Sequence, residues 1–336
     1  MARPLISVLL PVRDGAPHLE EALDSLSAQT LADHEVVVVD DGSTDATPGI
    51  LASRAARDDR IRVLRQNPRG IVAALERARI AARGRYLARM DADDVSEPRR
   101  LEAQLALLES RSDLSGCGCL VRYFPRDAVR AGARRYEAWL NGVVTPEQIE
   151  GALFVECPLA HPTFFLRAEV LDRVGGYRMF PGPEDYELVL RMWSAGHRFG
   201  KVSEVLLRWR EGPDRLSRND PRYSAEAFLA TKVRYLGRSL LGSGRSVVIW
   251  GAGPVGKALS RALRGAGTPV SAFVDLDPRK IGQEIHGAPV LDVHDGVALE
   301  GPLHLAAVGQ EGARERIVGL LEAAGRKVLR DFVAVA

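Results

Sequence analysis

The sequence lacks most of what would place it in several broad classes. Its 336 residues include only three cysteines, Cys117, Cys119 and Cys157. Three cannot all pair internally, residues 117 and 119 stand too close for an easy bridge, and no CxxC or Cys/His spacing suggests zinc. They read as small buried hydrophobes in a reduced, cytoplasmic chain. No apolar run approaches the roughly 20 residues that cross a bilayer, so no transmembrane segment is expected. The opening MARPLISVLLPVRDG has a short apolar run broken by Asp14 and Gly15, too short for a signal-peptide core, and it reads as a first buried strand. Charge of one sign is also missing. Lys+Arg (46) and Asp+Glu (44) leave +2, so nucleic acid would meet no basic field, and Arg134-Arg135 reads as a solvated face. Short-period repeats and low complexity are absent.

What is present is an ordinary globular composition, 46% hydrophobic and 27% charged, in a chain long enough for two domains. The first hundred residues alternate strand and helix signals. ISVLLPV (6–12), EVVVVDDGSTD (35–45), RIRVLR (60–65) and residues 85–90 read as strands. Between them, Leu19, Ala22, Leu23 and Leu26 mark one helical face, and Ile71, Leu75, Ala78 and Ala82 another. A further helix is expected to start near Thr44 as N-cap. Apolar strands separated by helices imply α/β architecture with a parallel sheet covered on both faces. Ligands of such sheets bind beyond the carboxyl ends of the strands, which gathers Arg13, Asp40, Asp41 and residues 91–94 at one rim. Farther on, TPEQ (145–148) is a capping box with Pro at the first helical position. Residues 157–171 read as a strand leading to a helix. In PGPEDYELVLRMWSAG a Pro/Gly loop feeds an amphipathic helix with Leu188, Val189, Met192 and Trp193 on its apolar face.

The stretch ARMDADDVSEP sets Asp91, Asp93 and Asp94 directly after a strand. Part of this is explained by a helix start near Pro98, capped by Asp94 or Ser96, with acids complementing the helix dipole. One acid and a serine would meet that need. Three aspartates beside Asp40-Asp41 favour partial protonation or a bound cation, and oxygen-only ligands suit Mg²⁺ or Mn²⁺ bridged to phosphates.

Taken together, ISVLLPVRDGAPHLEEALDSLSAQT, EVVVVDDGSTDAT, NPRGIVAALERARIAARGRYLARMDADD and GPEDYELVLRMWSAGHRF resemble the family 2 glycosyltransferases, from about residue 5 to about 235. The resemblance implies the GT-A fold and a metal-dependent, inverting transfer of sugar from a nucleotide-diphosphate donor to an acceptor hydroxyl. A UDP-sugar is the default donor and a saccharide or glycolipid the acceptor, in polysaccharide or glycoconjugate synthesis. It places the enzyme in the cytoplasm, free or peripheral to the inner membrane face. By the same resemblance Asp91 and Asp93 form the family's DxD, Asp93 binding the metal and Asp91 lying near ribose and metal. Pro11, Asp41 and the adjacent Asp40 match positions at the base. Arg69 and Gly70 match the segment near base and phosphates, and Asp185 matches the general base, with Glu184 next to it. Arg13-Asp14 stands where Tyr-Asn is frequent and Glu76 where Asn is frequent, both near the donor pocket. After Trp209, REGPDRLS lacks a histidine that many members carry as an auxiliary ligand. By its residues alone the Glu184-Asp185 pair could simply complement a helix dipole. His161 reads as a packed structural residue, and Trp193 and Trp209 as core or cleft walls.

A second start follows a polar, glycine-containing linker near 238–244, which divides the chain into 1–238 and 239–336. Gly251-x-Gly253-x-x-Gly256 follows a strand and opens a helix, and Asp275 ends the next strand. That context fits a nucleotide or dinucleotide loop with an acid for ribose hydroxyls. This end of the chain also resembles the small nucleotide-sugar-binding, Rossmann-like domain that precedes bacterial sugar acyltransferases. A docking domain with an empty loop is the plainer reading. Two rival functions are an NAD-linked sugar oxidoreductase driven by residues 241–336 and a non-catalytic nucleotide-sugar-binding protein.

Overall fold

Runs of aliphatic and β-branched residues make the strands that carry the rim: β1 (Ile6–Val12), β2 (His34–Asp40), β3 (Ile61–Arg65) and β4 (Tyr86–Arg89). The computed structural model describes residues 3–212, 215–242, 244–310 and 312–336. They form two compact units, Met1–Ile149, Pro158–Phe180 and Arg191–Asn219 in the first, and Glu150–Cys157, Pro181–Leu190 and Asp220–Ala336 in the second.

Four more strands complete the sheet of the first unit: β5 (Val95–Ser96), β6 (Leu114–Phe124), β7 (Phe165–Arg167) and β8 (Arg198–Arg210). Among the described residues the order is β3-β2-β1-β4-β7-β6-β8-β5. The β3-β2-β1-β4 half is parallel, as its continuous apolar runs require. Beyond it the sheet is mixed. β7 runs antiparallel to β4 and β6, and β5 antiparallel to β8. The C-terminal parts of β6 and β8 mix buried and exposed positions, the pattern of a sheet with one wet face, which mixed pairing tolerates.

Helices α1 (Leu19–Ser27), α2 (Thr47–Ala55), α3 (Ile71–Ala81) and α4 (Arg100–Ser110) follow the early strands. On one face Val8, Leu10 and Val38 pack with Leu19, Leu23 and Leu26 of α1 and with Leu101 and Leu108 of α4. Leu9, Val37 and Val39 are equally buried on the opposite face, where α3 contributes Val72, Leu75 and Ala78. At ~25 cal/mol per Å² removed from water, these two faces supply most of the drive to form the sheet. Glu35 anchors the far end of the strands. Its buried carboxylate accepts from Ser7 Oγ at 2.7 Å, Arg62 Nη1 at 2.8 Å, and Arg83 N and Nη2 at 2.8 and 2.7 Å.

Helices α5 (Ala131–Gly142), α6 (Pro146–Ala152), α7 (Ala168–Arg173), α8 (Glu184–Ser194), α9 (Leu216–Asn219) and α10 (Ala225–Leu236) come next along the chain. The TPEQ box forms as expected: Thr145 N donates to Gln148 Oε1 at 2.9 Å and Gln148 N to Thr145 Oγ1 at 3.3 Å. Two other cap expectations fail. α2 starts at Thr47, not near Thr44, because Thr44 is bound by the Asp14 carboxylate, 2.7 Å from its N–H. α4 starts at Arg100 without a side-chain cap, so neither Asp94 nor Ser96 caps it; Ser96 is instead in β5.

In the second unit β9 (Val247–Trp250), α11 (Pro254–Gly265), β10 (Val270–Val274), β11 (Glu284–Ile285), β12 (Ala288–Leu291), α12 (Val293–Ala298), β13 (Leu303–Ala306), α13 (Ala313–Ala323) and β14 (Phe332–Ala334) follow in order. The strands align β11-β12-β10-β9-β13-β14. β9 between β10 and β13 is the switch point of a doubly wound sheet. Among the described residues no helix is long and apolar enough to cross a membrane.

Candidate active site

Strand order brings three carboxyl ends side by side, since β1 pairs with β2 and β4. After β1 comes Arg13, whose exposed guanidinium lies 3.7 Å from Asp14. Asp14 has a positive φ of 50°, which Asn and Asp adopt more readily than most residues. The Asp standing where Asn is frequent is thus conformationally conservative. Pro11 is buried in β1 opposite Val39. Asp14 N, Gly15 N and Ala16 N donate to Ser43, Thr47 and Asp45 side chains at 2.9, 2.9 and 3.0 Å, which ties this turn to the one after β2. A Cβ on Gly15 would stand 3.8 Å from Ala92, so the β1 turn also packs on the 91–94 turn.

After β2, Asp40 accepts from Ser43 N at 2.8 Å and lies 3.4 Å from Arg65 Nε. Asp41 is 4% exposed, and it accepts from Gln66 Nε2 at 2.7 Å, Arg69 N at 2.8 Å and Gly70 N at 2.7 Å. Gly70 has φ 86°, a conformation that favours glycine. Beside this knot a depression of about 510 Å³ is lined by Arg65, Gln66, Asn67, Arg69 and Arg77. Glu76 pairs with Arg79 and accepts from Tyr177 N at 2.9 Å.

After β4, one carboxylate oxygen from each of Asp91, Asp93 and Asp94 falls within 4.8 Å of the others. Burial, then the Asp91 charge, pushes Asp93 up to about 6. Asp94 is raised well above the usual carboxylate range by burial and by both neighbours. Its Oδ1 accepts from Arg210 N at 2.7 Å, while its buried Oδ2 has no hydrogen-bond partner. Asp91 pairs with Arg89, a buried strand arginine. Arg210, at the end of β8, clamps the turn: its Nε donates to the Asp93 carbonyl at 2.6 Å, it pairs with Glu21, and its guanidinium lies 4.3 Å from the Phe124 ring centre. Arg89 and Arg210 were not singled out in the sequence. An arginine inside the apolar run YLARM was the available signal, because a buried guanidinium needs an acid partner.

Oxygen-only donors, crowded charge and an orphaned buried carboxylate oxygen together fit a divalent cation such as Mg²⁺ or Mn²⁺. A second acidic group, Asp292, His294 and Asp295, is exposed, and Asp292 caps α12 by accepting from Asp295 N at 2.9 Å. Of the segment REGPDRLS, Pro213 and Asp214 lie outside the described residues. Arg215 covers the Trp209 ring at 4.4 Å, and Trp209 stacks on Tyr123 at 5.0 Å. His161 is buried, 3.4 Å from Tyr177 Oη, with its pKa well lowered by burial. Cys117, Cys119 and Cys157 are buried, as expected of small hydrophobes.

Asp185 and Glu184 open α8 and belong to the second unit. Asp185 Oδ1 accepts from Tyr186 N at 2.7 Å. Glu184 is 2% exposed, and Tyr223 Oη lies 2.8 and 2.7 Å from its two oxygens. At the glycine loop of the same unit, Gly251 has φ 111°, and a Cβ on Gly256 would stand 1.8 Å from Gly251 O. Gly253 has open space around it. Asp275 closes the loop, accepting from Ala252 N at 2.8 Å, Lys280 Nζ at 3.0 Å and Asp277 N at 2.9 Å.

Residues 7–175 match the family described as Glycosyl transferase family 2. The chain is 32% identical over 228 residues to "Putative glycosyltransferase EpsE" of Bacillus subtilis (strain 168), covering 66% of this chain and 79% of that one. It is 32% identical over 285 residues to the O-antigen biosynthesis protein RfbC of Myxococcus xanthus, covering 82% of this chain but 21% of RfbC. Among solved structures, S. aureus TarS with UDP-GlcNAc aligns with TM-score 0.55 at 18% identity, covering 69% of this chain and 66% of that chain. The mannosyltransferase PcManGT from Pyrobaculum calidifontis, with GDP-Man and Mn²⁺, aligns with TM-score 0.50 at 24% identity over 70% and 63%. These likenesses show the expected GT-A fold. They give the oxidoreductase alternative no support.

Proposed function

The chain belongs to glycosyl transferase family 2, and from that membership we propose an inverting transfer of sugar from a nucleotide-diphosphate donor to an acceptor hydroxyl, with Mg²⁺ or Mn²⁺ held by Asp91 and Asp93. The observation that carries this reading is the convergence of Asp91, Asp93 and Asp94 beyond β4 beside the Asp41 knot beyond β2. A divalent ion bound there supplies Lewis-acid stabilisation of charge on the departing diphosphate. The chain's own residues do the rest. Arg210 fixes the Asp93–Asp94 turn through one backbone carbonyl and one carboxylate, so the acids are placed before any donor arrives. Asp41 sets the 66–70 loop, whose arginines border a depression suited to an anionic nucleotide. Asp185, half-buried at the start of α8, takes the proton of the acceptor hydroxyl. One base and one displacement give inversion.

Uridine remains the default base; GDP-Man in PcManGT makes guanosine the competitor to test. EpsE and RfbC support an acceptor in surface-polysaccharide or glycoconjugate synthesis, and a cytoplasmic or membrane-peripheral site is proposed with it. Residues 239–336 are proposed as a Rossmann-like accessory domain with a nucleotide site at Gly251, Gly253, Gly256 and Asp275. A ligand there would compete with Lys280 for Asp275. The central test is nucleoside-diphosphate release from UDP- and GDP-sugars with Mn²⁺. Asp93→Ala should lower it by about a hundredfold or more. Release at the wild-type rate would reject the metal assignment.

A further inference from the structure

In the run 182–190 every side chain is buried except that of Asp185, which is only half-buried. Its neighbours in the first turn of α8 are fixed by α10 and the short turn before it. Glu184 holds both oxygens against Tyr223 Oη, at 2.8 and 2.7 Å. Glu187, 5% exposed, accepts from Tyr235 Oη at 2.6 Å. Tyr186, fully buried, donates to Leu153 O at 2.6 Å and packs against Phe228 with ring centres 5.7 Å apart.

The supports of Tyr223 are themselves rigid. Asp220 accepts from Arg222 N at 2.9 Å and from the Arg222 guanidinium at 2.7 Å, and Tyr223 N donates to Asp220 O at 3.0 Å. Ser224 then caps α10 by accepting from Ala227 N at 3.2 Å. Burial, then Glu184 and Asp185, raises the Tyr223 phenol far above its ordinary value, so it stays a proton donor to Glu184.

A carboxylate at a helix N-terminus complements the dipole wherever it points, so the dipole alone does not require two tyrosines to hold two acids inside. We propose that Tyr223 and Tyr235 are positioning residues: by fixing Glu184 and Glu187 on either side of it, they orient Asp185 toward the acceptor hydroxyl. This rests on Asp185 being the base.

The test measures donor turnover and nucleoside-diphosphate binding, with Mn²⁺, for Tyr223→Phe, Tyr235→Phe, Asp185→Asn and each Phe variant combined with Asp185→Asn. Each phenylalanine removes one hydroxyl and no ring, and if one variant fails to fold the other still reads the same device. The expected result is a kcat loss of about tenfold or more for Tyr223→Phe, with binding affinity and stoichiometry unchanged. In the Asp185→Asn background the same change should add nothing, because residues acting as a unit are not additive. A purely structural role would lower the rate by the same factor in both backgrounds, or reduce the binding stoichiometry, and either result would overturn the proposal. Wild-type turnover of Tyr223→Phe and Tyr235→Phe would overturn it too. Wild-type turnover of Asp185→Asn would instead remove the base assignment, and the positioning role with it.

Discussion

Asp41 uses its carboxylate to hold the protein's own backbone. Three donors, Gln66 Nε2, Arg69 N and Gly70 N, converge on it within 2.8 Å. Asp41→Asn keeps the volume but turns an NH₂ group toward N–H donors, leaving at least one buried donor unmet at a cost of about 1–3 kcal/mol. The expected outcome is a lower urea midpoint at unchanged slope, with faster hydrogen exchange confined to residues 66–70. Unchanged exchange at Arg69 and Gly70 would mean that the loop is ordered by something else. Residue by residue, the acids were legible because charge at strand ends is costly without a purpose. Their partners were not. Arg210 lies more than a hundred residues from Asp93 in sequence, and no local pattern announces a clamp across that distance. Glu35 is a similar case. EVVVV reads as a strand opened by a polar residue, whereas Glu35 is a buried hub because Ser7, Arg62 and Arg83 converge from three other segments.

Elements fixed by local period were read closely, and those defined by long-range pairing were not. β1, β2 and β9 are built on unbroken apolar runs and announce themselves, as does the TPEQ start of α6. β5 and β11 are two residues long and exist only through their neighbours. β6 and β8 pair across some eighty positions with three register shifts, which no window of sequence contains. The glycine turn between β9 and α11 separates two requirements that its spacing alone cannot. Gly256 is needed for packing, since a Cβ would meet Gly251 O at 1.8 Å, while Gly253 has open space. Gly256→Ala should therefore destabilise the second unit by roughly 3 kcal/mol or more, in the range of severe core changes. Gly253→Ala, at a helix N-cap with negative φ, should cost less than about 1 kcal/mol. Thermal unfolding of the two variants side by side checks this. Equal losses would show that the turn tolerates neither methyl and that the close approach is not the cause.

At the scale of the molecule, buried titrating groups set the response of each unit to acid. In the second unit His304 is fully buried on β13; Trp250 Nε1 donates to its Nδ1 at 2.9 Å, and its Nε2 lies 3.0 Å from Leu299 O. That pairing needs a neutral ring. Burial lowers its pKa from 6.5 to about 4, outweighing the Leu299 carbonyl. The unfolded chain thus takes up a proton near 6.5 that the folded one resists until about 4. Stability is complete above that window and falls through it, by on the order of 3 kcal/mol. In the first unit burial would raise Glu35, but hydrogen bonds from Arg83, Ser7 and Arg62 overcome it and hold it at about 2 instead of 4.5. Its contribution is complete above 4.5 and falls only as pH drops toward 2, again by on the order of 3 kcal/mol. Hydrogen exchange followed from pH 7 to 3 should therefore show amides of β9 and β13 losing protection as pH falls from 6.5 to about 4, after correction for the intrinsic rate. His304→Gln should remove the pH dependence between 6.5 and 4 in the second unit and leave the first unit's curve in place. Loss in β9 and β13 unaltered by that substitution would place the second unit's acid response in groups other than His304.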